Sequence, residues 1–439
     1  MADMAFSGPE PDLQDLLAAR PQLQMHAQDG LCLEGVPLNA IADKYGTPVW
    51  VYGAGTMRAR FAALRDAFAA ERVPMHIHYA VKANDHLAIL NLFREQGAGA
   101  DVVSIGEFLR TTKAGIAAKN IVYSGVGKSE AELEAALAAG IGQINAESAE
   151  EVEMISAIAA RLGVVANIAL RMNPDVDAGT HAKITTGLAE NKFGIAAEDI
   201  PALYARAASL PGVRVVGIAM HIGSQILSTE PYRLAYEKAA EMVRALRAAG
   251  QSVEVMDIGG GLGIGYQDEP GLNPAAFAAM VRQVTSGLDV RLMMEPGRYL
   301  TGPAGILLAS VILRKQAGKR FLVLDAAMNE LMRPAMYEAW HGILPVDASA
   351  FHASPSPADV VGPICESADI FAKDRALPDL RPGARMALLD AGAYGAVMSS
   401  AYNARPRPAA VLVDQGGFEL ITKRQEIPAL WDGEIVPGA

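Results

Sequence analysis

The chain has 439 residues, of which 51% are hydrophobic and 20% charged, and a formal net charge of −11. That apolar fraction fills a large core and excludes disorder as the main state, while the length allows two or three domains. The negative charge repels phosphate backbones and argues against a nucleic-acid partner.

The two cysteines, Cys32 and Cys365, are too few for a disulfide framework and suit a reducing compartment. The start of the chain carries acids and no basic run, unlike a signal peptide. The uncharged apolar stretch 299–313 contains Gly302, Pro303 and Gly305 and is too short to span a bilayer. A cytoplasmic protein with no membrane partner is expected.

Residues 1–20 read as a tail. The segment 21–47 holds a candidate strand over 22–26 and a hairpin-like stretch over 28–33. Short runs rich in Val and Ile then recur over 75–81, 100–103, 121–124, 142–145, 166–171, 213–221, 253–258 and 290–294. Helically spaced stretches such as 130–139, 150–162, 231–249 and 274–286 lie between them. Eight strands alternating with helices imply parallel pairing, which an open doubly wound sheet satisfies equally well. The polar residues decide between the two. Lys82, Ser104, Ser124, Glu147, Arg171, His221, the glycines Gly259, Gly260 and Gly261, and Glu295 fall at successive strand ends. A (β/α)8 TIM barrel gathers all eight ends on one rim, where active sites of that fold lie. After about 305 the pattern changes to strands over 306–313, 320–324, 385–389, 409–413 and 418–422 with few helices between them. The expectation is an α/β barrel over 48–304 and an all-β C-terminal domain over 305–439, to which 21–47 contributes.

Five motifs carry candidate chemistry. In Tyr79-Ala-Val-Lys82-Ala-Asn84, a lysine after an apolar strand is either a surface cap or a desolvated, nucleophilic amine. In Asp257-Ile-Gly259-Gly260-Gly261, adjacent glycines let backbone N–H groups approach a phosphate, or form a bare turn. Glu295-Pro-Gly297-Arg298 follows the eighth strand, where barrels often hold phosphate, so it pairs naturally with the glycine loop; a Glu–Arg surface pair is the alternative. His221-Ile-Gly-Ser224 offers a histidine that is a hydrogen-bonded core residue or a site group. Cys365-Glu366-Ser367 lies in a Gly-Pro loop, with a thiol that is either exposed and reactive or an inert small hydrophobe. No His-x-x-x-His, Cys-x-x-Cys, Walker loop or Gly-x-Ser-x-Gly elbow occurs, so no metal site is expected. A lysine, a phosphate cradle, a carboxylate for a ring nitrogen and a stacking histidine are the parts that pyridoxal 5'-phosphate needs.

On these motifs, with Gly187, Lys192-Phe-Gly194, Arg333-Pro-Ala-Met-Tyr337 and Asp390-Ala-Gly-Ala-Tyr394-Gly395, the chain resembles the alanine racemase-like, fold-type III pyridoxal-phosphate enzymes. Within that class it is most similar to the diaminopimelate decarboxylases, over about residues 31–424. The resemblance implies that Lys82 carries the cofactor and His221 stacks on its ring. It implies that Ser224, Gly259, Gly260, Gly261, Gly297, Arg298 and Tyr394 hold the phosphate, and that Glu295 pairs with the ring nitrogen. Alanine racemases have an arginine at that last position, so Glu295 favours decarboxylation. Cys365 is implied as the acid, contributed by a neighbouring subunit in a homodimer. Arg298, Arg333, Tyr337 and Tyr394 are implied in substrate binding, the arginines through the distal carboxylate, with Glu366 taking the distal ammonium. The implied reaction is meso-2,6-diaminopimelate to L-lysine and CO2, the last step of lysine biosynthesis. The competing readings are decarboxylases of ornithine, arginine, D-lysine or carboxynorspermidine. A non-catalytic cofactor carrier or a dead paralogue is opposed by the β domain and by the presence of both Lys82 and Cys365.

Overall fold

The computed structural model describes residues 10–177 and 192–437, and the motif residue Gly187 lies outside them. The chain divides into two compact units. One comprises Arg58–Ile264 and Pro270–Leu300; the other takes the residues up to Met57, Gly265–Glu269 and those from Thr301 onward.

The first unit is the barrel. Its strands are Met75–Ala80, Gly99–Val102, Ile121–Tyr123, Gln143–Ala146, Ala166–Asn173, Val213–Ala219, Val255–Asp257 and Arg291–Met294, all paired in parallel. The eighth closes on the first, with Leu292 opposite Met75 and Met294 opposite Ile77. Serine side chains start the helices after the second, third and fourth strands. Ser104 accepts from the Glu107 N–H, Ser129 from that of Glu132 and Ser148 from that of Glu151. Each such cap contributes about 1 kcal/mol and fixes where a loop on the catalytic rim ends. Between the sixth and seventh strands the backbones approach closely: a Cβ on Gly217 would overlap the Val255 carbonyl. Only glycine fits there.

The second unit is built on a sheet ordered Ile370–Leu377, Ser356–Val361, Lys319–Leu324, Gly305–Ala317, Val49–Gly53, Ala409–Asp414, Gly417–Thr422. Arg385–Leu388 also pairs with Gly305–Ala317, and Ile343–Pro345 pairs with Arg385–Leu388. Val49–Gly53, inside the range expected for the barrel, is buried along its whole length and lies between two neighbours of this sheet. The N-terminal strands Leu23–His26, Gly30–Leu33 and Val36–Pro37 form their own three-stranded sheet rather than extending the large one. They join the unit mainly by packing: Leu23, Leu31 and Leu33 share a core with Ile306, Leu308 and Leu344.

The segment read as a tail also enters this core. Leu13–Ala18 is a helix opened by an Asp12–Asp15 capping box, and Leu16 is buried. Two residues beyond the helix, Arg20 is buried against Asp390: Nε lies 2.9 Å and Nη2 2.5 Å from Oδ2. The guanidinium also donates to the carbonyls of Leu16 and Tyr266, each at 2.7 Å.

Candidate active site

Of the predicted cofactor residues, Lys82, His221 and Glu295 line one cavity of about 390 Å³ at the barrel rim, together with Ser124, Gly125, Asn145, Arg171 and Phe193 among others. Lys82 sits in the short 3-10 turn Val81–Ala83 that ends the first strand. The rest of its motif supports that turn. Tyr79 is fully buried, stacks on Phe93 at 4.4 Å and donates from its hydroxyl to the Asn84 carbonyl at 2.8 Å. The Lys82 amine lies 3.0 Å from Oδ2 of Asp101, a carboxylate with no solvent exposure on the second strand. In the sequence Asp101 is only a polar interruption of a short apolar run, with nothing to mark it as the partner of Lys82.

His221 follows the sixth strand. Burial, then the positive charges of Lys82 and Arg171, push its pKa well below the ordinary histidine range, so the ring is neutral near pH 7. The Gly260 N–H donates to Nδ1 at 3.2 Å, which leaves the ring hydrogen on Nε2. The glycine loop is packed against carbonyl groups on every side. A Cβ on Gly259 would overlap the Met220 carbonyl, one on Gly260 that of Glu295, and one on Gly261 that of Gly223. Backbone bonds join this loop to the one after the sixth strand, from the Ile226 N–H to the Gly261 carbonyl at 3.0 Å and from Gly263 to Ile226 at 2.9 Å. Ser224 in that second loop accepts from Arg298 Nη2 at 3.1 Å. Gly297 approaches the lysine turn so closely that a Cβ would lie 3.0 Å from that of Ala83.

Beneath the rim a polar cluster crosses the barrel. Asn145 Nδ2, which has two hydrogens to donate, lies 3.1 Å from Ser124 Oγ and 3.2 Å from both Asp257 Oδ2 and Glu295 Oε1. Burial, then the negative charges of Asp101 and Asp257, push the Glu295 carboxyl well above its usual range. A second network braces the fourth and fifth strand ends. Glu147 pairs with Arg171 at 2.8 Å and accepts from the N–H groups of Gly125 and Gly194, and Arg171 lies 5.0 Å over the Phe193 ring. Lys128, buried beside Glu151 at 2.6 Å, holds the Gly125 and Asn145 carbonyls.

The remaining predicted residues lie in the β unit. Arg333 is buried on the helix Arg333–Tyr337, donates to His341 Nε2 at 2.7 Å and lies 4.6 Å over the Tyr266 ring. His341 Nδ1 lies 2.7 Å from the Leu389 carbonyl, so this ring carries its hydrogen on Nδ1 and accepts from Arg333. Nothing in the local sequence marks His341 or Tyr266 as partners of Arg333. Cys365 and Glu366 are exposed; the Cys365 N–H donates to Asn403 Oδ1 at 3.3 Å, and Glu366 accepts from the Tyr402 hydroxyl at 2.6 Å. Tyr394 has a left-handed backbone, φ 55°, four residues after Asp390.

The barrel residues fit pyridoxal phosphate. An amine and a carboxyl face one cavity, and beside it glycine backbone occupies positions where no side chain fits. The Gly261 N–H has no hydrogen-bond partner among the described residues, which leaves a backbone donor for an anion.

Comparison with known proteins agrees. The family model for the pyridoxal binding domain of pyridoxal-dependent decarboxylases matches residues 54–302. The chain is 47% identical over 408 residues to a diaminopimelate decarboxylase of Zymomonas mobilis, covering 92% of this chain and 96% of the relative. It is 44% identical over 405 residues to that of Pseudomonas aeruginosa, with the same two coverages. The crystal structure of the Helicobacter pylori diaminopimelate decarboxylase complexed with L-lysine superposes with a TM-score of 0.86 at 39% identity, covering 90% of this chain and 98% of that one. The chain belongs to the pyridoxal-dependent decarboxylases and, among them, to the diaminopimelate decarboxylase family.

Proposed function

We propose that this chain uses pyridoxal phosphate to release CO2 from meso-diaminopimelate and form L-lysine. The observation that carries the reading is that Lys82 and Glu295 line one cavity. Bound there, the cofactor supplies an electron sink for the bonding pair left on carbon as CO2 departs. The chain's residues then have distinct tasks. Lys82 anchors the aldehyde carbon, and the Asp101 carboxylate 3.0 Å away orients the amine. The neutral His221 ring offers a flat face, held by the Gly260 N–H. Ser224, Gly297, Arg298, Tyr394 and the glycine loop take the phosphate. Glu295 holds a proton at the ring nitrogen.

The remaining substrate roles follow the family resemblance. Arg298, Arg333 and Tyr337 bind the distal carboxylate of the substrate, Tyr394 lines its pocket and Glu366 takes the distal ammonium. The orientation of Arg333 by His341 and Tyr266 suits a guanidinium that meets a planar carboxylate through paired N–H donors. The Cys365 thiol returns a proton to the carbon that lost CO2. Its exposure supports a loop that serves a second copy of the chain, and hence a homodimer with shared sites. Two cysteines with no disulfide, and no helix among the described residues able to cross a membrane, support a cytoplasmic enzyme.

Subunit complementation tests both halves of this reading. Lys82→Ala should lose cofactor absorbance and activity together, and Cys365→Ala should bind cofactor yet turn over slowly. Mixing the two after dissociation should restore part of the activity through a hybrid dimer carrying one intact site. No recovery in mixtures shown to exchange subunits would remove the shared site, and cofactor absorbance persisting in Lys82→Ala would remove Lys82 as its anchor.

A further inference from the structure

Three carboxyl groups occupy the barrel interior with little access to water: Asp101 and Asp257 are 0% exposed and Glu295 is 7% exposed. One cation, Lys82, is spent on Asp101. Two charged carboxylates cannot share a dry site without another counter-ion, because each destabilises the charge of the other. Lys82 also favours a charged Glu295, but this effect is smaller than those of burial and of the charges of Asp101 and Asp257, which oppose it. The first strand contributes His78, held neutral mainly by its burial, and then Lys82. The second gives Asp101, the third and fourth the uncharged Ser124, Gln143 and Asn145, the sixth the neutral His221 and the seventh Asp257; Arg171, from the fifth, is engaged by Glu147.

The hydrogen bonds fix the arrangement. Gln143 Nε2 donates to Asn145 Oδ1 at 2.8 Å, so the Asn145 amide must present its NH2 to the carboxyls. That one nitrogen reaches Asp257 Oδ2 and Glu295 Oε1, both at 3.2 Å. The other oxygen of Asp257 accepts the Gly259 N–H at 3.0 Å. Asp257 therefore has two donors for a negative charge and Glu295 has weaker support, only the shared amide and a Ser124 hydroxyl at 3.4 Å.

We propose that Asp257 and Glu295 form a carboxyl pair that shares one proton, aligned by Asn145, with the charge held on Asp257 and the proton on Glu295. Asp257 is then a positioning residue acting through Glu295. By keeping a negative charge beside it, Asp257 makes Glu295 hold a proton near pH 7 and bring it to the cofactor's ring nitrogen. This deepens the proposed function and rests on it for the cofactor, but the pair exists in the apoprotein.

The test is therefore made without cofactor. Isotope-edited infrared spectra of apoprotein labelled with 13C-carboxyl glutamate should contain a protonated-carboxyl band at pH 7 that disappears in Glu295→Gln. Subtracting that variant isolates Glu295 from Glu107 and Glu330, which also hold protons to about pH 7. In Asp257→Asn the same band should titrate on the order of one to three pH units lower. The loaded Asp257→Asn protein should also show cofactor absorbance changing with pH at a lower midpoint than wild type. Should Asp257→Asn fail to fold, the wild-type spectrum still decides, since absence of the Glu295 band at pH 7 overturns the pair. An unmoved band in folded Asp257→Asn also overturns it. A protein that shows the band but releases no CO2 would instead overturn the proposed function and leave the pair standing.

Discussion

Replacing Arg20 by methionine tests whether the first twenty residues belong to the folded β unit. The Arg20 and Asp390 side chains are 4% and 2% exposed and 2.5 Å apart. Methionine keeps the buried alkyl volume but donates nothing, so Asp390 is left charged and buried, and the Leu16 and Tyr266 carbonyls each lose a donor. Breaking a buried pair from one side costs about 3–5 kcal/mol. With a urea m-value of about 2–3 kcal/mol per molar, the midpoint should fall by about 1–2.5 M. The assay has a built-in reporter. All three tryptophans, Trp50, Trp340 and Trp431, lie in the β unit, so tryptophan fluorescence follows that unit alone. Adding Asp390→Asn should recover part of the loss, because it removes the stranded charge. A midpoint within about 0.2 M of wild type for Arg20→Met would refute the reasoning.

Two further outcomes follow from the same geometry. Burial pushes Glu330 up to about 7 from an ordinary 4.5, so the folded state binds its proton more tightly than the unfolded state. Its contribution is full below about pH 4.5 and is lost as pH rises through 7; Glu330→Gln should flatten the stability–pH curve in that window, and an unchanged slope would count against it. Gly260→Ala would drive a Cβ into the Glu295 carbonyl, so it should weaken cofactor binding far more than an alanine at Gly250, where an added Cβ would meet no atom beyond its chain neighbours within 4 Å; equal cofactor affinity in the two variants, measured by fluorescence titration, would contradict the cradle.

The barrel strands are legible in the sequence because each is a short, mostly apolar segment between helically spaced stretches, and all eight lie within a few residues of their expected limits. Val49–Gly53 reads the same way and belongs to the other sheet; a strand buried on both faces has one hydrophobic signature whichever sheet receives it. Ser356–Val361 and Ile370–Leu377 carry no clear strand signature in the sequence. The first contains Pro357 and the second is broken by Lys373, Asp374 and Arg375, as strands towards a sheet edge often are. At the site, the lysine, glycines, histidine and glutamate stand at strand ends where a motif can be seen. Asp101, Asn145 and Asp257 lie within strands, and only barrel closure turns those separate polar residues into one cluster. Arg20 and Asp390 are 370 positions apart, and nothing local to either announces the pair.

The central claim is tested most directly by CO2 release. Purified protein loaded with pyridoxal phosphate is offered meso-diaminopimelate, L-ornithine, L-arginine and D-lysine separately. The account predicts release from meso-diaminopimelate in strong preference, with L-lysine appearing in equal amount. Preferential release from one of the basic amino acids would contradict the roles given to Arg298 and Arg333, and silence on all four with cofactor bound at Lys82 would contradict the proposed reaction.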